Sequence, residues 1–166
     1  MINKINKLSQ SEFIKVFANI FENSSWIASE LYKEKPFDNF LNLSSKFFVI
    51  FDNASKDEQL KILNDHPDLA DKIKIGSLTS DSKKEQMNAR LDQCSEEELN
   101  EFKDLNYKYK KKFGFPFIYA VKGKSKSQIL SNFRQRVSYD INVEFDEAKK
   151  QVKKIASLRL NEINKK

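Results

Sequence analysis

Ser95-Glu96-Glu97-Glu98-Leu99-Asn100-Glu101-Phe102-Lys103-Asp104-Leu105-Asn106-Tyr107-Lys108-Tyr109-Lys110-Lys111-Lys112-Phe113-Gly114 is the stretch on which the fold class turns. It opens on a serine with glutamate three residues later, the capping-box pattern that satisfies two orphan backbone donors at a helix start. Leu99, Phe102, Leu105, Tyr109 and Phe113 then recur at steps of three and four, which puts them on one helical face. Gly114 is placed to end the helix.

The same grammar repeats in both directions along the chain. Ser9-Gln10-Ser11-Glu12 is a capping box followed by Phe13, Ile14, Phe17, Ile20 and Phe21 at helical spacing. A second helix carries Trp26, Ile27 and Leu31 and ends before Pro36. A third runs from about Asn39 with Leu43, Phe47, Ile50 and Phe51 inward. Ser55-Lys56-Asp57-Glu58 opens a fourth, with Leu60, Ile62 and Leu63, which leads to His66. Ser82-Lys83-Lys84-Glu85 starts a short helix with Met87, Leu91 and Cys94 inward, and Ser125-Lys126-Ser127-Gln128 caps one with Ile129, Phe133 and Val137 in line. The final helix runs from about Asn142 to Ile163. Residues 1–166 thus read as an all-α, single compact multi-helix domain.

One segment breaks the grammar. Phe115-Pro116-Phe117-Ile118-Tyr119-Ala120-Val121 is a continuous apolar run containing a proline and lying between Gly114 and Gly123. It reads as one short extended, buried segment near 115–121. In a helical protein its backbone groups must find side chains, water or a ligand. It is either a buried wall or a backbone that faces a ligand.

Composition narrows the function classes. The chain has 166 residues, 39% of them hydrophobic and 33% charged, enough for a sizeable core in a soluble globular protein. No apolar run reaches membrane-spanning length, and the N-terminus has no apolar core of signal-peptide length. The single cysteine, Cys94, precludes an internal disulfide and fits a reducing cytoplasm. One His and one Cys do not make a zinc site of the usual kind, and three scattered glycines make no phosphate cradle, so an enzyme here is expected to need no cofactor. The net charge of +6 is spread over lysine-rich faces interspersed with glutamate. Solvated helix surfaces, attraction of a small anionic molecule, and nucleic-acid binding without a recognisable reading motif all fit that pattern.

Three places carry the chemistry. His66, the only histidine, precedes Pro67, which stops the helix before it and sets the imidazole at the helix end. It either simply ends that helix or transfers protons. Arg159 stands in the apolar stripe of Phe145, Ala148, Val152, Ile155, Ala156 and Ile163. It snorkels, pairs with a buried carboxylate, or clamps an anionic substrate. Ser82, Glu85, Gln86 and Ala89 share one helical face, which is either a capped, solvated surface or a binding surface.

The residues themselves then show a resemblance. His66-Pro67-Asp68-Leu69-Ala70, Leu78-Thr79, Ser82-Lys83-Lys84-Glu85-Gln86, Phe113-Gly114-Phe115-Pro116-Phe117-Ile118 and Ile155-Ala156-Ser157-Leu158-Arg159-Leu160 resemble, in order, the signature blocks of the OHCU decarboxylases. Phe13 to Phe21, Ser25-Trp26-Ile27-Ala28 and Lys35-Pro36-Phe37 extend the likeness to nearly the whole chain. The resemblance implies a cofactor-free, all-α homodimer that decarboxylates 2-oxo-4-hydroxy-4-carboxy-5-ureidoimidazoline to (S)-allantoin in urate degradation. By the same resemblance His66 and Glu85 match catalytic residues and Arg159 a substrate-binding arginine. Pro67, Ser82 and Gln86 match substrate contacts, and Phe117, Ile118, Tyr119, Ala120 and Val121 match the segment whose backbone lines the pocket. The C-terminal Asn164-Lys165-Lys166 is not a Ser-Lys-Leu-type address, which favours a cytoplasmic version. Two other readings remain: a lyase on a related ureido or carboxy-imidazoline acid, and a non-catalytic basic helical binding module.

Overall fold

Serine caps open four of the helices in the computed structural model, which describes residues 1–69 and 94–165. Ser9 and Ser95 form reciprocal capping boxes with Glu12 and Glu98, and Ser125 does the same with Gln128. Ser55 and Glu58 exchange the same pair of bonds. Asn39 caps a fifth helix by accepting from the Asn42 backbone N–H. Among the described residues the regular elements are all helices: α1 (Ile2–Lys7), α2 (Gln10–Phe17), α3 (Ser25–Lys33), α4 (Phe40–Asn53), α5 (Lys56–Asp65), α6 (Glu96–Phe113), α7 (Lys126–Arg136) and α8 (Ile141–Asn164). The all-α reading holds. None of these helices is long and apolar enough to cross a membrane.

The chain divides into two compact units, Met1–Asp65 with Lys153–Lys166, and His66–Val152. In the first, α2, α3 and α4 pack on one another through an aromatic core. Phe13 contacts Phe17 at 4.5 Å between ring centroids, and Phe21 lies 5.3 Å from Phe47 and 4.9 Å from Phe51. The sequence pattern places Ile20 and Phe21 on the helix of Phe13 and Phe17, but α2 ends at Phe17 and the chain turns through Asn23, whose φ is +49°. Both residues are nevertheless buried. A three-four spacing continues past a helix end whenever the next turn must also fill the core, so spacing alone overruns the boundary. The Asn6 side-chain amide pairs with the Phe37 backbone in both directions, at 2.8 and 2.9 Å. It supplies the partners that a neighbouring strand would otherwise give.

The second unit is built around Tyr109 on α6. Its ring meets those of Phe113, Phe115, Phe117 and Phe133 at centroid distances from 4.6 to 5.9 Å. Phe117 stacks on Phe133 at 3.8 Å. Gly114 terminates α6 with φ +77°, a left-handed conformation that favours glycine, and so releases the apolar run at Phe115. That run is outside any helix, and Phe115, Phe117, Ile118 and Val121 are buried.

Candidate functional site

His66 stands one residue beyond the end of α5, where the proline rule puts it, and is half-buried. Pro67, Asp68 and Leu69 behind it are buried. The Asp68 carboxylate accepts from Lys110 Nζ on α6 at 2.9 Å, and this ties the His66 stretch to the helix that carries Tyr109. Ser82, Glu85 and Gln86, with the short helix expected around them, lie outside the described residues.

The apolar segment Phe117–Val121, which lies outside any helix, satisfies part of its backbone through side chains. Arg136 Nη1 donates to the Ile118 carbonyl at 2.7 Å, and the Ala120 N–H donates to Gln151 Oε1 at 3.1 Å. Side chains therefore take the place of ladder partners, one of the outcomes that the sequence demanded. Tyr119 and Ala120 are half-buried, and Tyr119 borders an open polar cleft of about 360 Å³ with Lys124, Ser127, Gln128 and Ser131 on its rim.

Behind this segment is an ionic cluster. Arg136 Nε donates to both carboxylate oxygens of Glu144, at 3.0 and 3.2 Å, and the Tyr109 hydroxyl donates to the same carboxylate. All three side chains are buried, with Arg136 at 1% and Glu144 at 0% exposure. The guanidinium also lies over the Phe117 ring, 4.6 Å from its centroid. Burial, and then the negative charge of Glu144, push the Tyr109 hydroxyl far above the ordinary tyrosine range, so it stays a proton donor. The opposed charges and the hydrogen bonds compensate one another, which is the condition for keeping ions in a core.

The sequence reading passed over this cluster, although it carried the signal used for Arg159. Arg136 is seven residues after Ile129 and three after Phe133, and Glu144 is four before Ala148 and eight before Val152. Two charges of opposite sign thus interrupt two apolar stripes, and two such interruptions are each other's natural partners.

Arg159 lies in the first unit. Of the alternatives open for it, the buried pair with a carboxylate is present: Nη2 is 3.0 Å from Glu22 Oε1. Nη1 also donates to the carbonyls of Asn19 and Ile20, at 3.1 and 3.2 Å. These carbonyls belong to the turn after α2, so Arg159 organises the place where the aromatic spacing outran the helix. Residues with chemistry therefore occur in both units: Arg159 in the first, and His66, Pro67 and the 117–121 segment in the second.

Comparison with known proteins gives this arrangement a lineage. A family model described as OHCU decarboxylase matches residues 6–161. The chain is 34% identical over 161 residues to the 2-oxo-4-hydroxy-4-carboxy-5-ureidoimidazoline decarboxylase of Haloferax volcanii, covering 97% of this chain and 94% of that protein. It is 41% identical over 162 residues to the uric acid degradation bifunctional protein of Bacillus sp. strain TB-90, and spans only 32% of that protein's length. Among solved structures, an (S)-allantoin synthase superposes with a TM-score of 0.79 at 29% identity, over 98% of this chain and 54% of that one. The match of nearly the whole chain, at these identities, places it: the chain belongs to the OHCU decarboxylase family.

Proposed function

We propose that this chain decarboxylates 2-oxo-4-hydroxy-4-carboxy-5-ureidoimidazoline to (S)-allantoin in urate degradation, as one OHCU decarboxylase-like domain. The observation that carries the reading is the near-full-length match, in both directions, to a relative named for that reaction. The substrate chemistry agrees with the residue types. The bond to the carboxylate breaks and carbon dioxide leaves, and the electron pair passes to the adjacent C=N of the imidazoline ring. The hydroxyl on the carbon that lost the carboxylate gives up its proton and becomes the ring carbonyl, the ring nitrogen that took the electron pair is protonated, and a proton delivered to the carbon bearing the ureido group completes allantoin. The substrate supplies its own electron sink, so the protein is asked only to bind, orient and move a proton.

In this reading His66, with Glu85, manages the substrate hydroxyl or delivers the proton to one face. Arg159 provides cationic recognition of the substrate, and its hold on Glu22 and two carbonyls supports the role by fixing the plane of the guanidinium. Pro67, Ser82 and Gln86 complete the contacts, and the backbone of Phe117, Ile118, Tyr119, Ala120 and Val121 faces the substrate. The enzyme acts as a homodimer in the cytoplasm, on a small anionic molecule and without nucleic acid.

The test generates the substrate in situ from urate with urate oxidase and hydroxyisourate hydrolase. Its ultraviolet decay and the circular dichroism of the allantoin formed are then followed. Accelerated decay with one enantiomer accumulating is the expected result. Decay at the spontaneous rate to racemic product, with a folded protein present, refutes the proposal.

A further inference from the structure

Gln151 is a buried amide on α8, at 4% exposure, whose two ends are both engaged. Its Oε1 accepts the Ala120 N–H at 3.1 Å, and its Nε2 donates to Glu147 Oε1 one turn earlier at 2.7 Å. A carboxylate at neutral pH only accepts, so Glu147 compels the amide to turn its NH₂ toward α8 and its oxygen toward Ala120. The reverse orientation would set two donors against each other. Two residues back, Arg136 holds the Ile118 carbonyl. Ile118 and Ala120 are thus both held by side chains, with Tyr119 between them. Among the described residues, no hydrogen bond is formed by the Tyr119 backbone.

We propose that Gln151, oriented by Glu147, is a positioning residue that sets which edge of the Phe117–Val121 backbone is presented to substrate. The proposal rests on the decarboxylase reading above, in which that backbone faces the ligand. Gln151 acts through Ala120 and does not itself touch the reacting atoms. Glu147 is a polarity key: its charge type, rather than its bulk, determines the rotamer of the amide.

Two variants test this in the full chain, Gln151→Met and Glu147→Lys. The first removes both hydrogen bonds at nearly constant volume. The second leaves Gln151 in place and offers a donor where an acceptor stood, so the amide inverts and its NH₂ opposes the Ala120 N–H. Glu147 is partly exposed, so this variant folds even if the first does not. Lys150→Ala is the control for loss of the Lys150–Glu147 contact, because Lys150 is 70% exposed and makes no part of the arrangement. The assay reads kcat and KM with in situ substrate, and amide exchange at Ala120. The expected result is a rise in KM of about three- to tenfold in both variants, with a smaller change in kcat and faster exchange at Ala120. Lys150→Ala keeps the parent values. Parent-like KM and kcat in Glu147→Lys overturn the positioning role and leave the decarboxylase reading standing. Absence of turnover in the parent chain removes both.

Discussion

Arg159 and Glu22, 137 residues apart in the chain, form a buried ion pair with Nη2 and Oε1 3.0 Å apart. The guanidinium also collects the carbonyls of Asn19 and Ile20, so it closes the irregular turn between α2 and α3 onto α8. Glu22→Ala would leave a cation in the core without its carboxylate. Removal of one partner of a buried pair destabilises a fold by about 3–5 kcal/mol. Urea unfolding of this variant is expected to show a loss of that size, and a loss below about 0.5 kcal/mol would mean the pair does not hold the turn.

The Arg136–Glu144–Tyr109 cluster separates charge from hydrogen bonding. Tyr109→Phe removes only a donor, and Glu144 keeps both of its bonds from Arg136 Nε. The expected loss is about 1–2 kcal/mol. Glu144→Ala strands Arg136 in the core and should cost about 3–5 kcal/mol. If the two variants unfold at the same denaturant concentration, the carboxylate is not the centre of the cluster.

The capped starts of α2, α5, α6 and α7 are readable from sequence because each rests on local chemistry, whereas α1, which opens on Met1 with no side-chain cap, leaves no such mark. Ser95 with Glu98, or Ser125 with Gln128, needs nothing from the rest of the chain. The end of α2 was not readable, since Phe21 keeps the helical spacing while its place is set by contact with Phe47 and Phe51, far along the sequence. The site divides the same way. Pro67 fixes the position of His66 by local sterics, whereas the partners of Arg159 and of the 117–121 backbone are long-range and polar. A stripe violation announces that a partner must exist; it does not say which of 24 carboxylates it is. Resemblance contributed what spacing lacks, namely roles for Ser82, Glu85 and Gln86, which are outside the described residues.

Acid should loosen the fold through the helix caps. Glu12 is held below the usual carboxylate range by the Ser9 hydroxyl and backbone N–H, and Glu58 by the Ser55 backbone N–H and hydroxyl. Glu98 is held down by Lys126 and the Ser95 backbone N–H. A pKa lower in the folded than in the unfolded chain gives stability that is complete above the unfolded value, about 4.3 for glutamate, and is lost as pH falls through the folded one. The urea midpoint should therefore hold steady near neutrality and fall below about pH 4.5. A Glu98→Gln variant, neutral throughout, should show a shallower fall, and a slope identical to the parent's would remove the cap from the explanation.

His66 offers the sharpest separation of function from fold. It lies past the last residue of α5, it is half-buried, and the helix is already stopped by Pro67. Its replacement by Asn keeps a polar side chain of similar reach but removes the imidazole, the proton-transferring group of the proposal. The far-ultraviolet circular dichroism of His66→Asn should match the parent. Turnover of in situ substrate should drop by about a hundredfold or more, the range attributed to a positioned acid or base. The loss should fall on kcat, because the proton transfer occurs in the transition state and not on binding. A variant with near-parental kcat would show that the imidazole only ends a helix, and proton transfer would then have to be sought at Glu85.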